Sequence, residues 1–327
     1  MAVSSFFLAH GKATPTLRQK MEAKKINKGE PRVETHYDIS LSTKVPVNDW
    51  QTGKSLSESL EHILANGVGS DVTFLVGAKR THVAAHKLII SSRSPVFFAM
   101  FNGLLAEQGE VIIPDIKEEA FKPFLHYLYT DQIQLTYQCV VPVMSVARKY
   151  CVDVLVSACQ EFLQRSLSPE NACFLMEESH VYTEDQLMAA CLQVIAKHPQ
   201  AVLQSNTFVD LCPACLIGIT KSDELAVDEC LLYRSIIKWA NKKCIRLDLK
   251  NTGNNKREVL GDILFTIRFP IMDQTFFLDQ VCVDGVLTND EVVDILMFIR
   301  KKKKDVSTSF STKRRRMVYR VGNMYST

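Results

Sequence analysis

Three kinds of side chain in this 327-residue chain could do chemistry unaided: thiols, imidazoles and hydroxyls. Cys212-Pro-Ala-Cys215 is the one CxxC. A redox role for it would need a thioredoxin-like βαβ setting, and a structural zinc site would need a second cysteine pair. Neither is present, so these two cysteines read as structural. The eight histidines form no HExxH or HxH cluster. Ser91, Ser92 and Ser94 lack the G-x-S-x-G turn that activates a nucleophile. Cys159 and Cys173 have no basic neighbour at helical spacing to hold a thiolate, and Cys151 is read with them as packing. The residues therefore support no catalysis and imply no metal and no cofactor.

Bulk properties narrow the class further. The length suits two domains, and no apolar run approaches the roughly 18 residues that cross a bilayer. The start, MAVSSFFLAHGKATPTLRQK, has no basic region ahead of its apolar patch and is not read as a signal peptide. Of the ten cysteines, Cys139, Cys151, Cys159, Cys173, Cys191, Cys230 and Cys244 sit singly in apolar helical patterns. Free cysteine behaves there as a small buried hydrophobe, and a reducing compartment follows. The net charge of +3 is uneven: residues 300–327 carry ten Lys/Arg and one Asp, +9, which leaves about −6 for residues 1–299. An acidic body carries a basic tail.

The elements that must position any site follow from periodicity. Residues 1 to about 50 are polar and aperiodic and read as a disordered arm. Leu56, Leu60, Ile63 and Leu64 make one stripe of an amphipathic helix ending near Asn66-Gly67. Val72–Val76 reads as a strand, Gly77-Ala78 as a turn and Arg80–Ala84 as the hairpin partner. Ser94-Pro95 opens a helix to about Asn102-Gly103, and Val111–Ile113 is a further short strand. Helical periods then cover Lys117–Tyr129, Tyr137–Tyr150 and Val152–Arg165. Ser168-Pro169-Glu170 opens a second helical set, with Glu184–Lys197, Thr207–Cys215, Val227–Lys243, Glu258–Phe269 and Thr288–Arg300. Lys250–Lys256, KNTGNNK, reads as a polar loop. Strands confined to the first part imply an α+β domain followed by an all-α domain.

The segments SDVTFLVG, HVAAHKLIISSRSPVFFAMF, VIIPDI, FKPFLHYLYTDQI and MSVARKYCV, in this order, resemble a BTB/POZ domain. SLSPENACFLMEESHVYTEDQLMAACLQVIAKH and DECLLYRSIIKWANKKC resemble a BACK domain. The resemblance divides the chain into an arm (1–53), an α+β BTB/POZ domain of helices around a small sheet (54–165), an all-α BACK domain (166–300) and a basic disordered tail (301–327). NDWQ at Asn48–Gln51 is similar to the subgroup in which a PHR β-sandwich follows, and the chain ends at Thr327, where such a domain would begin.

The resemblance implies a non-catalytic substrate adaptor of a cullin-3 ubiquitin ligase, acting as a homodimer in the cytoplasm. Its partners would be cullin-3, a second copy or a related BTB chain, and a protein substrate, with no membrane and no specific nucleic acid. The stripe Leu56, Leu60, Ile63 and Leu64 would pack across a two-fold axis, although such a stripe can also pack on its own domain. Asp71 and Lys87 match an acidic and a basic position placed together at that interface; the plain alternative is two capping or surface charges. His86 matches a family signature at a helix start. Leu105-Ala106-Glu107 falls where cullin-binding members carry a hydrophobic-x-Glu motif, an apolar anchor beside a register-setting carboxylate. Phe101 and Tyr129 are candidate neighbours of that surface, while most of Phe97, Phe98, Phe101, Phe121 and Phe124 should be core. The helices from Pro142 to Glu178 would form a groove for a cullin's N-terminal extension. Lys301, Lys302, Lys303 and Lys304 with Lys313, Arg314, Arg315 and Arg316 read either as a solvated tail or as a nuclear-import signal. The rival reading is a dimeric scaffold, transcriptional co-regulator or inhibitor of longer relatives.

Overall fold

The Ser55 hydroxyl accepts the Glu58 N–H at 3.2 Å, and the Glu58 carboxylate accepts the Ser55 N–H at 2.8 Å. This reciprocal cap satisfies two orphan donors and opens α1 (Leu56–Asn66), which Gly67 closes in a left-handed conformation at φ 63°. The computed structural model describes residues 50–104, 106–107, 109–302, 304–306 and 309–316. Among the residues singled out above, Asn48, Asp49, Leu105 and Lys303 lie outside these, as do the rest of 1–49 and 317–327. Trp50, assigned to the arm, stacks on His62 of α1 with ring centroids 4.7 Å apart.

Strand β1 (Val72–Val76) pairs antiparallel with β2 (Thr81–Ala85), Phe74 opposite Val83. On its other side β1 pairs in parallel with β3 (Glu110–Ile113), giving the order β2-β1-β3. The second strand begins one residue later than expected because Arg80 takes a left-handed conformation, φ 50°, in the turn. At the sheet edge β3 alternates: Val111 and Ile113 face the core while Glu110 and Ile112 face outward.

Helices α2 (Lys87–Arg93), α3 (Pro95–Asn102), α4 (Glu118–Thr130), α5 (Val140–Lys149) and α6 (Asp153–Ser166) complete this part. Ser94 caps α3, accepting the Phe97 N–H at 3.2 Å, and its buried hydroxyl donates to the Tyr150 carbonyl at 2.6 Å. That bond holds the end of α5 against α3, where the rings of Phe97 and Tyr150 stack at 4.2 Å. Phe74, Phe121 and Phe124 complete a core ring cluster.

The helical part runs through α7 (Ala172–Val181), α8 (Asp185–Lys197), α9 (Pro199–Gln204), α10 (Pro213–Lys221), α11 (Glu229–Arg246) and α12 (Gly253–Leu260). The short α13 (Gln274–Phe276) and α14 (Cys282–Asp284) precede α15 (Asn289–Ile299). Among the described residues no helix is long and apolar enough to cross a membrane.

Two sequence expectations are corrected here. Thr207–Cys215 is not one helix: Phe208–Asp210 forms a 3₁₀ turn, and Pro213 opens α10 as its first residue with Cys212 as cap. Proline has no N–H to donate to a preceding turn and suits a helix start. The KNTGNNK stretch is not all loop either. Thr252 accepts the Asn255 N–H and starts α12 at Gly253, and the expected helix 258–269 gives way to a 3₁₀ turn from Gly261. A Cβ at Gly253 would lie 2.3 Å from the Gly285 carbonyl oxygen. Gly253→Ala is accordingly expected to destabilise by about 1–3 kcal/mol through backbone displacement, measurable by urea unfolding.

The tail is also corrected. Phe310 is buried, its ring 5.5 Å from Phe265 and 5.0 Å from Phe269. Arg315 is buried too, paired with Glu229 and donating to the carbonyls of Thr220 and Ser222, each at 2.7 Å. Residues 309–316 therefore include a strap anchored by one aromatic and one arginine, not only a solvated basic arm.

Candidate protein-docking surface

The α3–β3 loop carries the candidate anchor. Glu107 is held by its backbone N–H, which donates to the Met100 carbonyl at 2.9 Å. Its side chain is exposed and makes no ion pair among the described residues. Leu104, just before it, is fully exposed. Beside this loop a groove of about 470 Å³ runs between α3 and the outer edge of β3. Val96, Met100, Val111 and Ile113 give it an apolar lining, and Glu107, Glu110 and Lys149 place charges around it. Lys149 reaches it from α5 while its ammonium donates to both oxygens of Asp115 at 2.8 and 2.7 Å. That bond holds the Asp115 carboxyl below its ordinary range. An apolar floor, a mixed-charge rim and an unpaired sheet edge together suit a protein segment rather than a small polar substrate.

The structure separates the residues assigned to this surface. Phe101 is partly exposed, 6.2 Å from Phe97 and 6.4 Å from Phe74 by ring centroids. Tyr129 is corrected: it is buried and serves the fold. Its hydroxyl accepts the His86 N–H at 2.8 Å and meets His86 Nδ1 at 2.8 Å, while His86 Nε2 meets the Val68 carbonyl at 2.8 Å. A carbonyl only accepts, so in the neutral ring Nε2 carries the proton and the Tyr129 hydroxyl donates to Nδ1. Burial raises the phenol to about 12, which keeps it a donor.

Asp71 and Lys87 do meet, but not as the expected buried charge pair. Asp71 Oδ1 accepts the Lys87 backbone N–H at 2.7 Å and caps α2. The Lys87 ammonium instead sits 5.2 Å from the Phe101 ring centroid. Asp71 is exposed, so water already satisfies its charge and no partner ammonium is needed. The α1 stripe also divides. Leu60, Ile63 and Leu64 rest partly on the core of their own domain, whereas Leu56 is 76% exposed. No residue of α1 is fully buried, so the helix keeps an apolar face available to a second surface.

A second concavity, about 240 Å³, lies where α5, α6 and α8 meet, lined by Met144, Leu163, Leu167 and Leu187 with the paired Arg148 and Glu184. Part of its lining, Met144 to Leu167, comes from the stretch Pro142–Glu178 expected to receive a partner's extension; the rest, Glu184 to Ala190, lies beyond that stretch, and α7 contributes none of it. Cys159, Cys173 and Cys191 are buried, and burial raises each thiol to about 12. Cys151 is corrected, being exposed at a left-handed turn of φ 54°. Of the second basic cluster, Arg315 is buried, Lys313 pairs with Asp223 and Arg316 with Glu224; Arg314 is exposed.

Val96, Met100, Glu110 and Lys149 were missed by the sequence reading. Val96, Met100 and Lys149 sit in helices assigned for their caps or period, and Glu110 lies one residue before the strand assigned to Val111–Ile113. What makes them a groove is the parallel pairing of β3 with β1, which sets its edge near α3, and the approach of α5, contacts that no local spacing encodes.

Comparison with known proteins gives two family-model matches: the BTB/POZ domain over residues 60–167 and BTB And C-terminal Kelch over residues 172–282. The chain is 34% identical over 270 residues to BTB/POZ domain-containing protein 3 of Homo sapiens, covering 81% of this chain and 52% of that protein. It is 34% identical over 271 residues to BTB/POZ domain-containing protein 6 of Mus musculus, covering 82% and 50%. For BTB/POZ domain-containing protein 6-B of Danio rerio the figures are 34% over 267 residues, 80% and 55%. The chain spans about half the length of these curated relatives.

Proposed function

This chain belongs to the BTB/POZ–BACK family of adaptor and scaffold proteins, and on that premise we propose that it is a substrate adaptor of a cullin-3 ubiquitin ligase. The observation that carries this reading is the α3–β3 groove, apolar within and flanked by the exposed Glu107 carboxylate, which makes no ion pair among the described residues. A cullin helix would set its apolar face into the groove while Glu107 fixes its register, and the α5–α6–α8 concavity would take a flanking extension. The exposed face of α1, with Leu56 at its tip, would meet a second copy across a two-fold axis. In this reading the chain supplies contacts and no chemistry. Holding a bound protein beside the transferring enzyme raises the effective concentration of acceptor lysines.

The burial of Arg315 against Glu229 takes one arginine of the second basic cluster out of solvent, which favours a cytoplasmic placement over import through that cluster. Calorimetry with the N-terminal domain of cullin-3 tests the proposal. Saturable binding with one cullin per protomer is expected; no heat of binding to the folded chain would overturn it.

A further inference from the structure

We infer that Glu177, Cys212 and Cys215 form a binding site for one zinc ion that clamps α7 to the start of α10. One ligand atom from each of the three residues lies within 4.8 Å of the other two. The arrangement is built by backbone contacts. Glu177 Oε2 accepts the Cys212 N–H at 2.9 Å, which pins the carboxylate against the CxxC. Cys212 Sγ in turn accepts the Cys215 N–H at 3.5 Å as the cap of α10, so both sulfurs face one point. Cys215 is buried, and Glu177 and Cys212 are half-buried, which leaves one open side.

The charge pattern is the second observation. Glu184 and Glu229, the buried glutamates, each face an arginine. Glu177 is half-buried, makes no ion pair among the described residues and faces two sulfurs instead. A cation is the component this cluster lacks. Two sulfurs select against magnesium and calcium, and a carboxylate beside them suits zinc.

Zinc takes thiolate and carboxylate in tetrahedral geometry with Zn–S of about 2.3 Å, so the two sulfurs would settle about 3.8 Å apart. That requires contraction of about 1 Å or less, within reach of side-chain rotation. Binding releases the two thiol protons to solvent and needs no oxidant. Three protein ligands leave a fourth position for water on the open side. The sequence argued against zinc because a second cysteine pair is missing; the fold brings Glu177, from 35 positions upstream of Cys212, into that place.

The test uses the full chain, stripped with a chelator under reducing conditions and titrated with cadmium alone, followed by zinc in competition. A cadmium–thiolate absorption band saturating at one equivalent is expected. It should vanish in Cys212→Ser and Cys215→Ser, and the affinity should fall roughly tenfold or more in Glu177→Gln. Serine replaces the capping sulfur at position 212 with a capping oxygen and glutamine keeps an acceptor for the Cys212 N–H, so these two variants stay folded. No band at one equivalent from the folded wild type, a band retained in Cys212→Ser, or an affinity indifferent to Glu177→Gln would each overturn the site.

Discussion

Arg315→Ala is expected to destabilise the helical domain by about 3–5 kcal/mol, the cost of leaving a buried charge without its partner. Glu229, the first residue of α11, is nearly inaccessible, as is the Arg315 guanidinium that pairs with it. The helix N-terminus favours the anion, but the second arginine in reach, Arg268, is 4.0 Å away and already donates to Asp223 at 2.6 Å. Arg315 also satisfies the carbonyls of Thr220 and Ser222 and reaches that of Thr266 at 3.3 Å. Its removal therefore strands an anion and three acceptors together. Lys313→Ala and Arg316→Ala break exposed pairs with Asp223 and Glu224 and should each cost under about 1 kcal/mol. Urea unfolding of the three variants gives the comparison. The double variant Arg315→Met with Glu229→Gln should recover much of the loss, because no uncompensated charge then remains. Equal, small effects at all three positions would mean that the strap is held by Phe310 alone.

The same residues show what a sequence can and cannot convey. The period of Leu56, Leu60, Ile63 and Leu64, the Ser94-Pro95 start and the Gly67 stop placed helices and strands to within a few residues, because propensity and capping are local. Lys313–Arg316 looked like a solvated basic run for the same reason: its local composition is polar, and the acidic and carbonyl groups that bury Arg315 come from α11, the end of α10 and the turn at Thr266. Tyr129 erred in the opposite direction. At the end of a helix beside the expected docking rim it looked available, yet His86, 43 positions away, claims both roles of its hydroxyl. For Asp71 and Lys87 the atoms that meet depend on backbone placement: the carboxylate goes to the Lys87 N–H rather than to its ammonium.

Glu107→Lys and Tyr129→Phe are expected to produce crossed effects, and the crossing is the argument for the groove. Glu107 is exposed and bound to the fold only through its backbone N–H, so a lysine there should leave the unfolding midpoint unchanged. It reverses the charge at the groove's rim and should weaken cullin-3 binding by about 30-fold or more, because a like charge set against the partner costs several kcal/mol. Tyr129→Phe does the reverse. It leaves the His86 N–H and Nδ1 without their shared partner inside the protein, at a cost of about 1–3 kcal/mol. It faces no groove, so cullin affinity should remain within about twofold of the unmodified chain's once the folded fraction is measured. Calorimetry paired with urea unfolding of both variants supplies the four numbers. If Tyr129→Phe lost affinity without stability, the surface would have to be redrawn around α4; if Glu107→Lys lost neither, the α3–β3 groove would not be where the partner binds.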